Sequence, residues 1–308
     1  MKNVMSKTLG IVLCLMVSFV CRNAAQDAVS ATVANPQTIL KAAENDNTLL
    51  WKIEGKGIQT AYLYGTIHLI PEADFFLTEA TKAAFSASEQ VVMELDMDNP
   101  NLQMELMQNA GMKDGTTLDQ LVSEEDYKQI DALLKATLGV GVDPFKGWQP
   151  ILTSSLFLSR FIEGTPASYE GSLMAMAKEA NKEIYGLESV LDQLAAMEDI
   201  GYQKQADLLT ETINDMEAMQ NIFTDLIQVY KTQNIDALQK MMVSQSGGEE
   251  FGQFLIDKRN KNWIPKIGEM AKDKSTFFAV GSGHLGGENG VVKLLKDAGY
   301  QVTPIANK

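Results

Sequence analysis

The sequence predicts an α/β protein whose mixed central sheet is formed by both ends of the chain, with a large helical insert at about residues 100–271. Three observations predict it. Short apolar runs without a helical period cluster before residue 96 and after residue 275, and the stretch between them is mostly helical in period. The chain has two histidines, and each closes a Gly-x-x-His tetrapeptide directly after such a run: Gly65-Thr66-Ile67-His68 and Gly281-Ser282-Gly283-His284. The match extends outward, because Leu69 and Glu72 recur at the same offset as Leu285 and Glu288. Strands from opposite ends of the chain thus deliver the same side chain, one that ligates metals and moves protons near neutral pH.

The first element is a leader. Lys2 and Lys7 precede the apolar run 9–21, and the small residues Ala24 and Ala25 follow, which is the pattern of a secretory signal peptide cleaved after Ala25. The run falls short of the ~20 apolar residues that span a bilayer. A periplasmic or extracellular protein is expected, without stable membrane insertion after cleavage. Cys14 and Cys21 leave with residues 1–25, so neither disulfide nor thiolate chemistry remains. Lys2, Lys7 and Arg22 leave as well, which takes the net charge from −14 to −17. So much negative charge speaks against nucleic acid as a partner.

A polar, Ala-rich extension (26–47) leads into one domain, 48–308. Runs 49–53 and 60–67 flank Gly55-Lys56-Gly57 and predict a hairpin. A helix is expected over 75–88 and a strand over 90–95. Within the insert, Leu226, Val229 and Tyr230 share a helical face, and Leu238, Met241 and Met242 continue the pattern. Breaks are expected at 139–144, 164–166 and Ser246-Gly247-Gly248, and one short strand at 183–187. The last segment returns to strand (276–280), helix (289–297) and strand (300–305). Most of the sixteen methionines fall on the helices and read as core filler rather than as a binding surface.

A strand ending in Gly-x-x-His carries its imidazole past the carboxyl edge of the sheet, where sites in open α/β sheets gather. A lone histidine is more often a hydrogen-bonded structural residue; the duplicated motif reverses those odds. Glu94 ends a third strand and can arrive at the same edge. Two imidazoles and a carboxylate would leave open positions on a metal, as a catalytic site requires. Taken alone, Glu94 is equally well explained as a solvated strand end. Glu188 follows the short strand of the insert and is similarly placed. Glu170 stands at a helix start, where a carboxylate caps the helix and meets its dipole. Arg259 lies among Lys258, Asn260 and Lys261, which by themselves suggest a solvated charged face. The stretch Gly281-Ser282-Gly283-His284-Leu285-Gly286 has the form of a dinucleotide fingerprint. It lacks the acidic residue that should follow about 20 positions later, so no nucleotide cofactor is expected.

Taken in order, these segments resemble the TraB/PrgY/GumN family, which includes the Tiki metalloproteases and is related in fold to ChaN and the erythromycin esterases. The resemblance runs from about Leu49 to Ile305. It rests on Gly65-x-x-His68, Glu94 in Val-Met-Glu-Leu-Asp, Tyr169-Glu170-Gly171, Gly186-Leu187-Glu188, Gln193, Arg259-Asn260-x-x-Trp263 and Gly281-x-Gly-His284-Leu285-x-Gly287. It implies an α/β core with a helical insert and, in the Tiki branch, hydrolysis of peptide bonds with a divalent transition metal. Mn, Co and Zn all suit the donors. Under the resemblance His68, His284 and Glu94 hold the metal, and Glu94 doubles as a catalytic residue with Glu188 and Arg259. Arg259 would meet a developing oxyanion or a substrate carboxylate. Many relatives have Gly-x-Asp near Glu170, a departure here. Gln193, Asn260 and Trp263 are supporting residues.

Three function classes remain open to the sequence. The first is a metal-dependent hydrolase of peptide or amide bonds. The second is a metal-free esterase-type hydrolase of an amide or ester substrate, with a histidine as general base. The third is a binding protein that captures a peptide or haem without turnover.

Overall fold

The computed structural model describes residues 40–41, 43, 47–245 and 252–307. The leader, most of the extension and the break at Ser246-Gly247-Gly248 lie outside the described residues. The chain folds as an α/β protein around one six-stranded mixed sheet.

Strand β1 (Leu50–Glu54) turns through Gly55, Lys56 and Gly57, all three at positive φ, into β2 (Ala61–Thr66). Left-handed backbone at successive positions is what a tight hairpin asks for, and two of the three residues are glycine. After the two-residue β3 (Ile70–Pro71) comes α1 (Glu79–Ala87). This helix starts later than the apolar pattern suggested because the Thr78 side chain accepts the Thr81 N–H and caps it there. Strand β4 (Gln90–Met93) follows.

The insert supplies α2 (Leu102–Asn109), α3 (Glu124–Leu138) and α4 (Pro150–Ser155). Next are β5 (Pro166–Ala167), α5 (Tyr169–Glu179) and β6 (Ile184–Gly186). Four helices continue it: α6 (Val190–Glu198), α7 (Tyr202–Asn214), α8 (Met216–Thr232) and α9 (Ile235–Gln245). A π-helical turn, Gln253–Asp257, leads into α10 (Lys258–Met270). The chain closes with β7 (Thr276–Gly281), α11 (Val291–Asp297) and β8 (Gln301–Pro304).

The sheet order is β6-β4-β7-β2-β1-β8. Neighbouring pairs among β6, β4, β7 and β2 are parallel, whereas β1 pairs antiparallel with both β2 and β8. The sheet is therefore not made from the chain ends alone, because the insert lends β6 to its edge. Strands β2 and β7 are buried nearly along their whole length, as parallel strands covered on both faces are. Trp51, Tyr64, Phe277, Phe278 and Trp263 are fully buried in the one core. Among the described residues no helix is long and apolar enough to cross a membrane.

Candidate active site

Because four adjacent strands run parallel, their carboxyl ends share one edge, and each is followed by a residue singled out above. His68 comes two residues after β2, Glu94 one after β4, Glu188 two after β6 and His284 three after β7. The β4–β6 ladder continues past the strands, with Leu187 N–H donating to Met93 O (2.8 Å) and Glu188 N–H to Glu94 O (3.0 Å). The two carboxylates therefore leave the sheet side by side. Gly186 permits this, since a Cβ there would lie 2.6 Å from Asp96 N and 2.9 Å from Glu188 O. Gly281, first residue of the second tetrapeptide, allows a similar approach: its N–H donates to Glu94 Oε1 at 2.8 Å.

Arg259, in the first turn of α10, lies within this group, and its side chain is only 13% exposed rather than on a solvated face. Its Nε donates to Glu188 Oε1 and Oε2 (3.0 and 3.2 Å), and its Nη2 to Glu94 Oε2 and Glu188 Oε1 (both 2.5 Å). Nη1 donates to Leu255 O (2.9 Å), in the π turn, and to His284 Nε2 (3.2 Å). These bonds engage all the N–H groups a guanidinium has. In this arrangement none is left for an oxyanion or a substrate carboxylate, so Arg259 organises the two glutamates and the imidazole instead. The Trp263 indole N–H takes Glu188 Oε2 at 3.1 Å, and Gln193 reaches Glu94 Oε2 at 3.4 Å.

His284 is held in one tautomer. The Asn260 amide donates to His284 O (3.1 Å) and Asn289 O (2.8 Å), which turns its Oδ1 towards His284 Nδ1 at 2.6 Å. Nδ1 must then carry the proton, leaving a lone pair on Nε2. Burial and the Arg259 charge push the imidazole pKa down to about 3, so this histidine stays neutral. Trp263 packs against the ring, with centroids 4.5 Å apart.

His68 is placed differently. The β3–β5 ribbon pairs Ile70 with Ala167, which brings the start of α5 to the end of β2. Ser168 caps that helix by accepting the Gly171 N–H, so Glu170 is not the cap. Glu170 Oε1 instead accepts the Thr66 hydroxyl (2.8 Å) and faces His68 Nδ1 at 3.3 Å. Desolvation works to lower the His68 pKa, but the attraction of Glu170 outweighs it and raises the imidazole to about 9. Solvent screens part of that attraction, because 56% of the His68 side chain is exposed.

His68, Glu94, Glu170, Gln193 and Arg259 line one cavity of about 320 Å³. Its other walls include Met93, Met97 and Met197, so some methionines read as core filler face the site. Among the described residues no three His, Cys, Asp or Glu side chains form a ready metal cluster. The donors nevertheless suit an ion. His284 Nε2 and Glu94 Oε1 stand 3.9 Å apart, a gap that two ligand bonds of roughly 2.0–2.2 Å can span. The buried group also carries two carboxylates against one guanidinium, an excess of negative charge that favours a cation. Arg259 Nη1 occupies His284 Nε2 and would have to release it to the ion, while Nη2 can stay on Glu94 Oε2.

Sequence reasoning passed over the Glu170–His68 contact, the burial of Arg259 and the part played by Asn260. The one cue in the sequence was Arg259-Asn260-x-x-Trp263, whose helical spacing puts residues 259 and 263 on one face.

A sequence model of the TraB/PrgY/gumN family matches residues 49–304. Among curated proteins, Metalloprotease TIKI2 of Danio rerio is 22% identical over 83% of this chain and 60% of its own length. Metalloprotease TIKI2 of Xenopus tropicalis is 24% identical over 85% of this chain and 60% of its own. The Metalloprotease TIKI homolog of Nematostella vectensis is 24% identical over 84% and 67%. The chain thus spans about three-fifths of the length of the first two relatives. No solved structure matches the chain.

Proposed function

The chain belongs to the TraB/PrgY/gumN family, and from that premise we propose that it is an exported hydrolase of peptide or amide bonds that works with a divalent transition metal. The names of its relatives support the reaction class and the metal. The observation that carries the reading is the shared sheet edge, where His284, Glu94, Glu188 and Arg259 form one buried group beside the cavity that His68 lines.

A Mn, Co or Zn ion held by His284, Glu94 and His68 would supply Lewis-acid polarisation of the scissile carbonyl. Imidazole and carboxylate donors do not choose among these metals. His284 offers a neutral Nε2 because Asn260 holds the proton on Nδ1. Glu94 offers an ionised carboxylate: desolvation would raise its pKa, but the Arg259 charge outweighs that and holds it below the usual range. Glu170 steadies His68 at Nδ1, and to serve as a ligand through Nε2 the imidazole must first give up a proton. Arg259, gripped by Glu188, keeps Glu94 from turning away.

Excess chelator should lower peptide hydrolysis by about a hundredfold or more, and one of the three ions should restore it. A second reading draws on the His68–Glu170 contact: a carboxylate on Nδ1 is also how a metal-free general base is oriented, as in an esterase-type hydrolase. Full activity of a metal-free sample in chelator would select that reading and discard the first.

Export belongs to the proposal and is supported by the leader pattern. N-terminal sequencing of protein from the native envelope should find a start between Gln26 and Thr32. A start at Met1 in a membrane fraction would replace export by an anchored form.

A further inference from the structure

The cavity at the sheet edge is apolar apart from its reactive side. Met93, Leu95, Met97, Ala196 and Met197 form much of its wall beside His68, Glu94 and Arg259, and the hydroxyls of Ser154 and Ser155 in the lining are spent on Pro150 O and Leu152 O. It does not end there. Ile151, Ser154, Leu158 and Leu255 also line a second cavity of about 710 Å³, so the two adjoin along α4 and the π turn. The second cavity extends towards the junction of α7 and α8, where Glu211 and Asp215 line it. Among the described residues no lysine, arginine or histidine does so. Both carboxylates are exposed, and Asp215 spends Oδ1 on capping α8 through the Ala218 N–H.

We infer that the substrate is an extended polypeptide segment. It seats a large aliphatic side chain, leucine or methionine, on the Met93–Met97–Met197 wall beside the scissile bond. The chain continues into the second cavity, where a basic residue meets Glu211 and Asp215. The inference rests on the hydrolase reading for the position of the bond, and its own content is the selectivity. Thioethers fit an aliphatic chain closely because they are unbranched and polarizable. A wall without charge or free donors leaves a polar side chain unsatisfied there, whereas an aliphatic one leaves water at a gain. Two carboxylates without a basic neighbour in the lining favour a cation and disfavour an acid.

The test uses fluorescent peptides of about ten residues, with one central position varied among Leu, Met, Ala and Asp. A second position, moved along the extended peptide one residue at a time, is varied between Arg and Glu. Binding to the full chain is read by anisotropy in chelator, and cleavage is read separately with metal. Leu and Met should bind at least about tenfold better than Asp. Arg should bind better than Glu, by a margin that salt erodes and that a Glu211→Gln, Asp215→Asn protein loses; asparagine can still cap α8. Ala196→Leu should narrow the cavity and move the preference from Leu towards Ala. A Met197→Ala protein, which only removes bulk, should accept Phe.

Selective binding without cleavage leaves this inference standing and overturns the hydrolase reading. Cleavage with no preference at either position overturns the inference and leaves the hydrolase reading. Selectivity that the three variant proteins fail to change also overturns it, because it then arises elsewhere.

Discussion

An Arg259→Met protein is expected to lose about 3–5 kcal/mol of stability, the usual effect of removing one partner from a buried ion pair. The reason lies in what is left behind. The Glu188 side chain is 4% exposed and that of Glu94 14%, and both lose their principal cation together. Glu188 would keep the Trp263 N–H, and Glu94 the Gly281 N–H and Gln193, which do not neutralise charge. Denaturant titration measures the loss, and thermal unfolding should begin roughly 10 °C lower.

The pH dependence identifies the cause. In the parent protein the folded Glu94 carboxyl has a pKa below its unfolded value of 4.5. Its contribution is therefore present above about pH 4.5 and is lost as pH falls below it. Without the guanidinium, desolvation dominates and raises the folded pKa instead, so acid relieves the variant while it weakens the parent. The gap between the two proteins should shrink on acidification. Adding Glu188→Gln should recover part of the loss at neutral pH. A gap that is constant with pH, or no loss at all, would show that the arginine does not carry these carboxylates.

His284→Ala should lower turnover by at least about a thousandfold and remove bound metal, and His68→Ala should do much the same to turnover. The double variant should be little worse than either, because groups that act as one unit are not additive. Asn260 acts through His284 rather than on substrate. Its alanine variant should weaken metal affinity by about 10- to 100-fold, the effect of losing a hydrogen bond that orients a ligand. Asn260→Asp keeps an acceptor for the Nδ1 proton but loses the donors to His284 O and Asn289 O, and it should recover part of the affinity. Elemental analysis and metal titration read these effects without a substrate. Unchanged metal content in His284→Ala protein would remove that residue from the ligand set.

The strands and their common edge were legible because short apolar runs without a helical period and a repeated Gly-x-x-His are local signals. A parallel arrangement then puts their ends together by geometry. What was not legible depends on contacts between distant segments. Nothing near Glu170 announces His68, since the two meet only when Ile70 pairs with Ala167. Arg259, flanked by Lys258 and Lys261, looks solvated until α10 is set against β4 and β6. Short β6 was visible as a strand, but its place in the sheet follows from pairing with β4 across the insert. The methionines are largely core, as read, with Met93 and Met97 buried in it; that the same side chains also line a pocket is what the sequence does not say.

The pairing of β2 with β7, residue for residue from Ala61↔Thr276 to Thr66↔Gly281, has a consequence for biosynthesis. A chain still emerging from the ribosome can form the β1–β2 hairpin early, yet it has nothing to lay between β2 and β4 until β7 arrives. Long-range parallel pairing is slow to form, since the loop must close before the contacts reward it. His68 and Glu94 therefore exist for most of synthesis without His284, on a sheet that lacks its central strand. A nascent or truncated polypeptide that stops short of β7 therefore cannot assemble the group at the sheet edge.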